Sequence, residues 1–363
     1  MNHKLVRSLT HTLAIVASSY FTAQNVYADS YVQTNLVSDI QGLAPTTDTD
    51  LKNPWGLSFS ATSPFWVSNQ MSDTSTLYNG AGVKSALTVS VPSPTGTVYT
   101  GGSGFTAPGA SAPASFVFDT LGGTIYAWNT GSTAQLAATA TGAVYTGLAL
   151  DNVGSSNYLY AANIAGNSID VYNASFAKVS LAGSFKDPNL ASGYSAYNVQ
   201  TINGLLYVEY YNPNLPGAGN GVVSIFDANG NFVKEVASGG QLNIPWGVVI
   251  APAGFGAFAN DLLVGNFGNG EINAYDPSTG VWLGTLEDST GKPIVNSGLW
   301  ALATRTGTGF DTNGVYFDAG INRQADGLFG VLDVATPEPF SVGLSALGFV
   351  GVGLYSLRRR VLH

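Results

Sequence analysis

A repeat of about 49 residues restricts the fold of this sequence more than any other feature. Within short β-prone segments, one small or polar residue recurs at positions 56, 96, 147, 198, 247 and 301, in steps of 40, 51, 51, 49 and 54 residues. Repeats of about 40 to 50 residues are typical of four-stranded propeller blades. Six repeats therefore predict a six-bladed β-propeller, a ring in which each small sheet packs against its neighbours.

Each repeat contains further strand patterns, such as Phe65–Asn69 and Ser115–Asp119. The last repeat is one strand short, whereas the segment Tyr31–Val37 before the first repeat has the pattern of a strand. We predict an all-β fold with four-stranded antiparallel blades, in which this N-terminal strand closes the ring as the outer strand of the last blade. A seven-bladed ring and a pair of β-sandwiches are the alternatives, although a sandwich does not require a period near 49.

Residues 1–28 have the features of a secretory signal peptide. Lys4 and Arg7 make the N-terminal region positively charged, and a mostly apolar stretch follows. Small residues then precede a predicted cleavage site after Ala28. The sequence therefore predicts export across the cytoplasmic membrane, with a signal peptidase as a processing partner.

The C-terminus combines a short motif, an apolar segment and a basic cluster. Residues 340–357 carry no charge and would form a transmembrane helix of roughly 27 Å at about 1.5 Å per residue. Pro337, Glu338 and Pro339 precede this segment, and the basic cluster that follows it leaves the rest of the chain outside the cytoplasm. The cluster consists of Arg358, Arg359 and Arg360.

This order of elements resembles the PEP-CTERM sorting signal of Gram-negative bacteria, which an exosortase recognises and removes. The resemblance implies transient membrane anchoring through the C-terminal helix, and then a location at the cell surface or in the extracellular matrix. An ordinary C-terminal anchor is the alternative. The expected organisation is a signal peptide at 1–28, a β-propeller at 29–335 and a sorting signal at 336–363.

The composition of segment 29–335 excludes several kinds of chemistry. The chain has no cysteine, and its three histidines lie at positions 3, 11 and 363, so thiolate, Ser-His-Asp and histidine-ligated metal sites are excluded. A bound metal would have oxygen ligands, as calcium does. The segment holds eight basic and 21 acidic residues, a net charge of −13. This charge argues against binding to nucleic acid.

Four segments carry a resemblance to known propellers: 35–39 (Asn-Leu-Val-Ser-Asp), 53–57 (Asn-Pro-Trp-Gly-Leu), 245–247 (Pro-Trp-Gly) and 298–300 (Gly-Leu-Trp). They are similar to NHL-like propeller repeats. More closely, the chain resembles a bacterial family of secreted propellers that often carry a PEP-CTERM tail. The resemblance covers most of 31–335 and implies the fold, but it supplies no activity.

A binding pocket is expected on one face of the ring. In a propeller, the starts of the first strands and the ends of the second strands lie on the same face, which brings aromatic, amide and carboxylate side chains to the mouth of the channel. The alternative is structural, because Asn and Asp often cap turns and tryptophan often packs between blades. The candidate ligand-binding residues are Trp55, Trp246, Trp300, Asn69, Asp119 and Tyr210.

Two functions fit this expectation. We favour a non-catalytic binding module for an extracellular polysaccharide or a surface protein, without a cofactor and without catalytic residues. The alternative is a calcium-dependent, lactonase-like hydrolase, in which carboxylates and amides hold the ion and the ion polarises a carbonyl group. The candidate calcium ligands are Asn163, Glu209, Asn266 and Asp318.

Overall fold

The computed structural model describes residues 29–335, and these form a ring of six antiparallel sheets around a central axis. The predictions of an all-β fold, six blades and four strands per blade are confirmed. The predicted signal peptide at 1–28 and the predicted sorting segment at 336–363 lie outside the described residues. Within 29–335, no helix has the length and apolar character needed to cross a membrane.

Each of the first five blades is built from four consecutive strands, which run in sequence order from the axis to the rim. Blade 1 contains β3 (Pro54–Ser58), β4 (Phe65–Asn69), β5 (Thr74–Tyr78) and β6 (Lys84–Ser90). Blade 2 contains β7 (Pro94–Tyr99), β8 (Phe116–Thr120), β9 (Thr124–Trp128) and β10 (Gln135–Thr139). Blade 3 contains β11 (Tyr145–Val153), β12 (Ser156–Asn163), β13 (Ser168–Asn173) and β14 (Lys178–Val179). Blade 4 contains β15 (Ser195–Ile202), β16 (Leu205–Tyr211), β17 (Val222–Phe226) and β18 (Phe232–Ser238). Blade 5 contains β19 (Pro245–Ile250), β20 (Leu262–Asn266), β21 (Ile272–Tyr275) and β22 (Trp282–Thr285).

Blade 6 combines the two ends of the propeller. Its strands from the axis outward are β23 (Leu299–Ala303), β24 (Val315–Ala319), β25 (Leu328–Val334) and β1 (Tyr31–Ser38), and a short strand β2 (Thr46–Thr47) adds to the edge of β1. The strands β1 and β25 pair antiparallel from Tyr31 opposite Val334 to Ser38 opposite Leu328. The predicted closure by the N-terminal strand is therefore confirmed.

The recurring small or polar residue lies at a β-bulge in the inner strand of every blade, where the pairing with the second strand shifts register. The inner strands of neighbouring blades come very close here. A Cβ atom on Gly56 would lie 2.5 Å from the carbonyl oxygen of Thr95, and one on Gly96 would collide with the backbone nitrogen of Leu148. The repeat seen in the sequence therefore reflects the space available at the axis.

The core is divided among the blade junctions. In the described residues, six clusters of buried apolar side chains each lie between two neighbouring blades, and a seventh lies on the axis. Between residues 29 and 335, helical structure is limited to single turns at Gln70–Ser72, Gly256–Phe258 and Ile321–Gln324. In the last turn, Asn322 and Arg323 have left-handed φ values of 53° and 60°.

Candidate functional site

The three candidate tryptophans converge on the axis, where the inner strands begin. Trp55 and Trp300 stack with their ring centroids 3.6 Å apart, and Trp246 packs edge-on against both, at 6.3 Å from Trp55 and 5.7 Å from Trp300. Tyr197 of blade 4 and Phe267 of blade 5 complete the group, with Phe267 at 4.2 Å from Trp300. We refer to these five residues as the aromatic plug.

The aromatic plug closes one end of the channel. Trp55, Trp246 and Trp300 are only 5%, 4% and 0% exposed, so most of their surface is covered by each other and by neighbouring residues. The indole of Trp246 reaches across blade 4 and donates to the backbone oxygen of Thr146 at 2.9 Å, and that of Trp300 donates to Asn53 Oδ1 at 3.0 Å. These bonds fix the orientation of the two rings.

Tyr210 lies away from the aromatic plug. It is 3% exposed and packs in the core between blades 3 and 4. The ring centroid of the next residue, Tyr211, lies 4.6 Å from that of Tyr197 in the aromatic plug. Successive side chains of a strand point to opposite sides, so a shift of one residue exchanges a core position for an axial one.

The other two candidate ligand residues bond within the framework of their own blades. The side-chain amide of Asn69 donates to Thr74 Oγ1 at 3.1 Å and to Thr76 Oγ1 at 2.8 Å. The carboxyl of Asp119 accepts from Thr95 Oγ1 at 2.7 Å and from the backbone nitrogen of Gly96 at 2.6 Å. Asp119 thus satisfies a backbone N–H at the bulge of its inner strand.

Three carboxyl groups occupy the same register position in alternate blades. In blades 2, 4 and 6, the residue after each carboxyl pairs with the inner-strand position two before the recurring small or polar residue, that is, with Pro94, Ala196 and Leu299. The three carboxyl residues are Asp119, Glu209 and Asp318. All three are fully buried. Burial raises the pKa of Asp119 to about 6 and that of Asp318 to about 8, and it raises the pKa of Glu209 well above its ordinary value.

Three of the four candidate calcium ligands accept hydrogen bonds from backbone N–H groups of their own blades. Asn163 Oδ1 accepts from the backbone nitrogens of Val144 and Gly166, and Asn266 Oδ1 accepts from that of Asn243, so both amides cap turns. Asp318 Oδ1 accepts from the nitrogen of Ala301 at 2.8 Å. Among the described residues, no three acidic side chains come together in a group that could hold a metal.

An open cavity of about 280 Å³ occupies the other half of the channel. It extends from the bulge residues and Trp246 to the far ends of the inner strands, where Tyr99 is 38% exposed. The polar and aromatic side chains in its lining are Ser58, Phe59, Thr97, Tyr99, Asn198, Gln200, Thr201 and Trp246. Apart from Trp246, these residues were not among the sequence candidates. Most of them follow the recurring small residue by one to three positions, which is the signal that could have identified them.

Solved structures support the fold. The chain is similar to a protein of unknown function from Bacteroides thetaiotaomicron (TM-score 0.53, 11% identity, covering 84% of this chain and 76% of that one). It is also similar to a streptogramin B lyase (TM-score 0.50, 10% identity, 84% and 97% covered) and to a glucose dehydrogenase (TM-score 0.50, 12% identity, 84% and 100% covered). At these identities the likeness concerns the propeller fold alone.

Two uncharacterised proteins of Acanthamoeba polyphaga mimivirus are relatives in sequence. R648 is 32% identical over 322 residues, which cover 81% of this chain and 78% of R648. L690 is 32% identical over 326 residues, which cover 82% of this chain and 84% of L690. No protein-family model matches the chain.

These relatives correct the assignment made from the sequence. The resemblance to a bacterial family of NHL-like propellers with a PEP-CTERM tail is wrong, because the matching relatives are viral and neither an NHL nor a PEP-CTERM signal is shown. The propeller part of that assignment depended on segments such as 53–57 and 245–247, which lie at the start of inner strands. A small residue there is a packing requirement of a propeller blade and does not identify a lineage. With 32% identity over about four fifths of its length, the chain belongs to the family of the mimivirus proteins R648 and L690.

Proposed function

We propose that this propeller is a non-catalytic binding module for carbohydrate, and that the channel cavity receives a neutral sugar ring. The observation that carries the proposal is the chemistry of the lining. Three hydroxyl and two amide side chains line the space: Ser58, Thr97, Thr201, Asn198 and Gln200. The hydroxyls of Ser58 and Thr97 bond to each other, and Thr201 and Asn198 donate to backbone oxygens, so these four side chains keep acceptor lone pairs for a ligand. Such groups exchange hydrogen bonds with sugar hydroxyls, because each can donate and accept.

Aromatic side chains supply the apolar half of a sugar site. Trp246 forms the closed end of the cavity, and Phe59 and Tyr99 lie toward its mouth. Pockets that combine apolar surface with a few polar groups are the usual binding sites for small molecules. A pyranose ring has C–H faces that pack on aromatic rings and equatorial hydroxyls that need polar partners, so it matches both parts of the lining.

The same lining favours binding over the calcium-dependent hydrolysis considered above. Among the described residues that line the cavity, Tyr99 alone has an ionisable side chain. General acid–base catalysis needs such groups within hydrogen-bond reach of the substrate. The buried carboxyls of Glu209 and Asp318 are not part of the lining.

A glycan array followed by calorimetric titration tests the proposal. Gln200 is half-buried at the mouth, so Gln200→Trp is expected to block entry and to weaken binding of the best neutral saccharide by about tenfold or more. Gln135→Trp makes the same change at an exposed position of the outer strand of blade 2 and serves as the control. An array without a bound saccharide, or a folded Gln200→Trp variant that binds as tightly as the control, would overturn the proposal.

A further inference from the structure

A second cavity lies beside the mouth of the channel. Its volume is about 490 Å³, within the range of pockets that hold small ligands. Phe59 lines both this cavity and the channel cavity, so the two are neighbours on the same face of the ring. The other residues that line the second cavity are Ser60, Ala61, Pro252, Ala253, Thr304, Arg305, Thr306, Gly307 and Thr312.

Arg305 is the charged group of this second cavity. It follows the inner strand β23 by two residues and is only 3% exposed. Its Nη2 atom donates to the backbone oxygens of Ser60, at 3.2 Å, and Ser63, which ties blade 6 to blade 1. The Nε and Nη1 atoms are buried and have no hydrogen-bond partner. Two of the three guanidinium nitrogens are thus unused.

No carboxylate of the described chain compensates this charge. The five ion pairs within 29–335 involve Lys52, Lys84 and Lys178, although 21 acidic residues are present. Three phenyl rings surround the guanidinium carbon instead, at 3.6 Å for Phe310, 4.7 Å for Phe59 and 5.1 Å for Phe65. Cation–π contacts offset only part of the cost of burying an unpaired charge.

We propose that Arg305 is the anion-binding group of this cavity and that its ligand is the carboxylate of an acidic sugar, a uronic acid. The inference rests on the proposed function, because the sugar next to the uronic acid would occupy the channel cavity across Phe59. Guanidinium groups match carboxylates in charge and geometry.

The surroundings of Arg305 favour a carboxylate attached to a sugar over a free or larger anion. Ser60, Thr304, Thr306 and Thr312 provide hydroxyl groups for sugar hydroxyls around the same cavity. A carboxylate presents two coplanar oxygens to the Nε and Nη1 atoms of the planar guanidinium, whereas the oxygens of a sulfate are arranged tetrahedrally. The net charge of −13 over 29–335 repels polymers with many negative charges, so we expect a saccharide with few uronic acids.

Phe310 covers the guanidinium and must move for the carboxylate to reach Nε and Nη1. It follows an exposed segment, 306–309, in which Gly307 and Gly309 have φ values of 121° and 85°. Glycine adopts such conformations at little cost, so this segment can change its path. Phe310→Ala is expected to strengthen uronate binding, because the ligand no longer has to displace the ring.

Matched saccharide pairs provide the test. Disaccharides of the gluco, galacto and manno series are titrated by calorimetry, each as the neutral sugar, as the 6-carboxylate and as the 6-sulfate. The intact protein is expected to bind the carboxylate of its preferred series about tenfold more tightly than the neutral sugar. Equal affinity for the neutral sugar and the carboxylate overturns the proposal, and so does tighter binding of the sulfate than of the carboxylate. Neither result contradicts the proposed sugar site in the channel. If no sugar binds, the proposed function fails and this inference fails with it.

Variants of Arg305 test whether this residue causes the preference for the carboxylate over the neutral sugar. Arg305→Gln should lose the preference for the carboxylate but keep binding of the neutral sugar, and Arg305→Lys should keep part of the preference because it retains the charge. Arg323→Gln removes an exposed arginine and is the control. Thermal melting verifies that each variant is folded. A folded Arg305→Gln variant that still prefers the carboxylate contradicts the proposal, and the preference of the unmodified protein remains a test if that variant does not fold.

Discussion

Trp55 stacks on Trp300 at a centroid distance of 3.6 Å and an interplanar angle of 19°. The two residues belong to blades 1 and 6, which meet where the ring closes, so one aromatic contact joins the first and the last blade at the axis. Their neighbours Trp246 and Tyr197 bring blades 5 and 4 into the same cluster. The aromatic plug therefore couples four blades directly.

Removal of one ring from the plug should destabilise the whole propeller. Trp300→Ala leaves a large cavity and is expected to lower the free energy of unfolding by about 3–5 kcal/mol. Urea unfolding followed by circular dichroism measures the loss. Trp282→Ala, at a residue that is 46% exposed, should cost less than about 1 kcal/mol. Similar losses in the two variants would contradict the structural role of the plug.

The strand β1 should contribute to stability through its buried side. Val37 is fully buried between blades 6 and 1, whereas Val32 on the same strand is 46% exposed. Val37→Ala is expected to cost about 2 kcal/mol through lost contacts and cavity formation. Val32→Ala makes the same change in strand propensity at an exposed position. The difference between the unfolding midpoints of the two variants therefore measures the contribution of buried packing by the closing strand. Equal midpoints would show that the buried side of β1 does not stabilise the propeller.

Close approach of the inner strands predicts a strong effect at Gly96. Its Cβ would collide with the backbone nitrogen of Leu148, so Gly96→Ala should destabilise by about 2 kcal/mol or more. At Gly122 the nearest atom to an added Cβ is Thr120 Oγ1 at 3.6 Å, and Gly122→Ala should stay within about 0.5 kcal/mol of the parent. Thermal melting of the two variants compares them. Equal melting temperatures would mean that the inner strands can move apart.

The buried carboxyls predict that stability falls as the pH rises. Asp119 and Asp318 have an ordinary pKa near 3.8, which burial raises to about 6 and about 8 in the folded protein. Above pH 4 the unfolded chain releases these protons first, so the free energy of unfolding decreases by about 1.4 kcal/mol per pH unit for each carboxyl until its folded pKa is passed. Melting temperatures between pH 4 and pH 8 measure this slope.

Asp318→Asn should flatten that slope, because the amide remains neutral and its oxygen can still accept the hydrogen bond from Ala301. The matched control is Asp276→Asn. Hydrogen bonds from Ser278 and Thr279 lower the pKa of the exposed Asp276 to about 2, so this group is already ionised above pH 4. The interpretation fails if the melting temperature is constant or rises from pH 4 to pH 8, or if Asp276→Asn changes the slope as much as Asp318→Asn.

The number of blades was predictable because packing at the axis imposes a periodic demand on the sequence. Gly56 and Gly96 have no room for a side chain, and the equivalent position is glycine in four of the six blades, with Asn198 in blade 4 and Ala301 in blade 6. Closure by the N-terminal strand followed from simple counting, since the last repeat lacked its fourth strand. Both predictions depend on the spacing of residues along the sequence and require no knowledge of which side chains meet across the ring.

The site was harder to predict because it depends on volume and orientation. The sequence predicts the tryptophans as the aromatic part of a pocket at the mouth of the channel, whereas Trp55, Trp246 and Trp300 pack against each other at the axis, an outcome that depends on the width of the ring. Tyr210 is the sequence candidate, but its neighbour Tyr211 packs against the aromatic plug, because successive side chains of a strand point to opposite sides. Arg305 had no motif around it, because its partners Ser60 and Phe310 come from separate loops.

The pairing of Tyr31 with Val334 places the first and last strands of the described chain side by side. During translation, β1 leaves the ribosome long before β25 exists. Until then the growing chain can form only an open arc, with the hydrogen-bonding edge of β1 unmatched. Such an edge invites association with other nascent chains, so the interval before the final strand emerges is the period in which this protein is most vulnerable to aggregation.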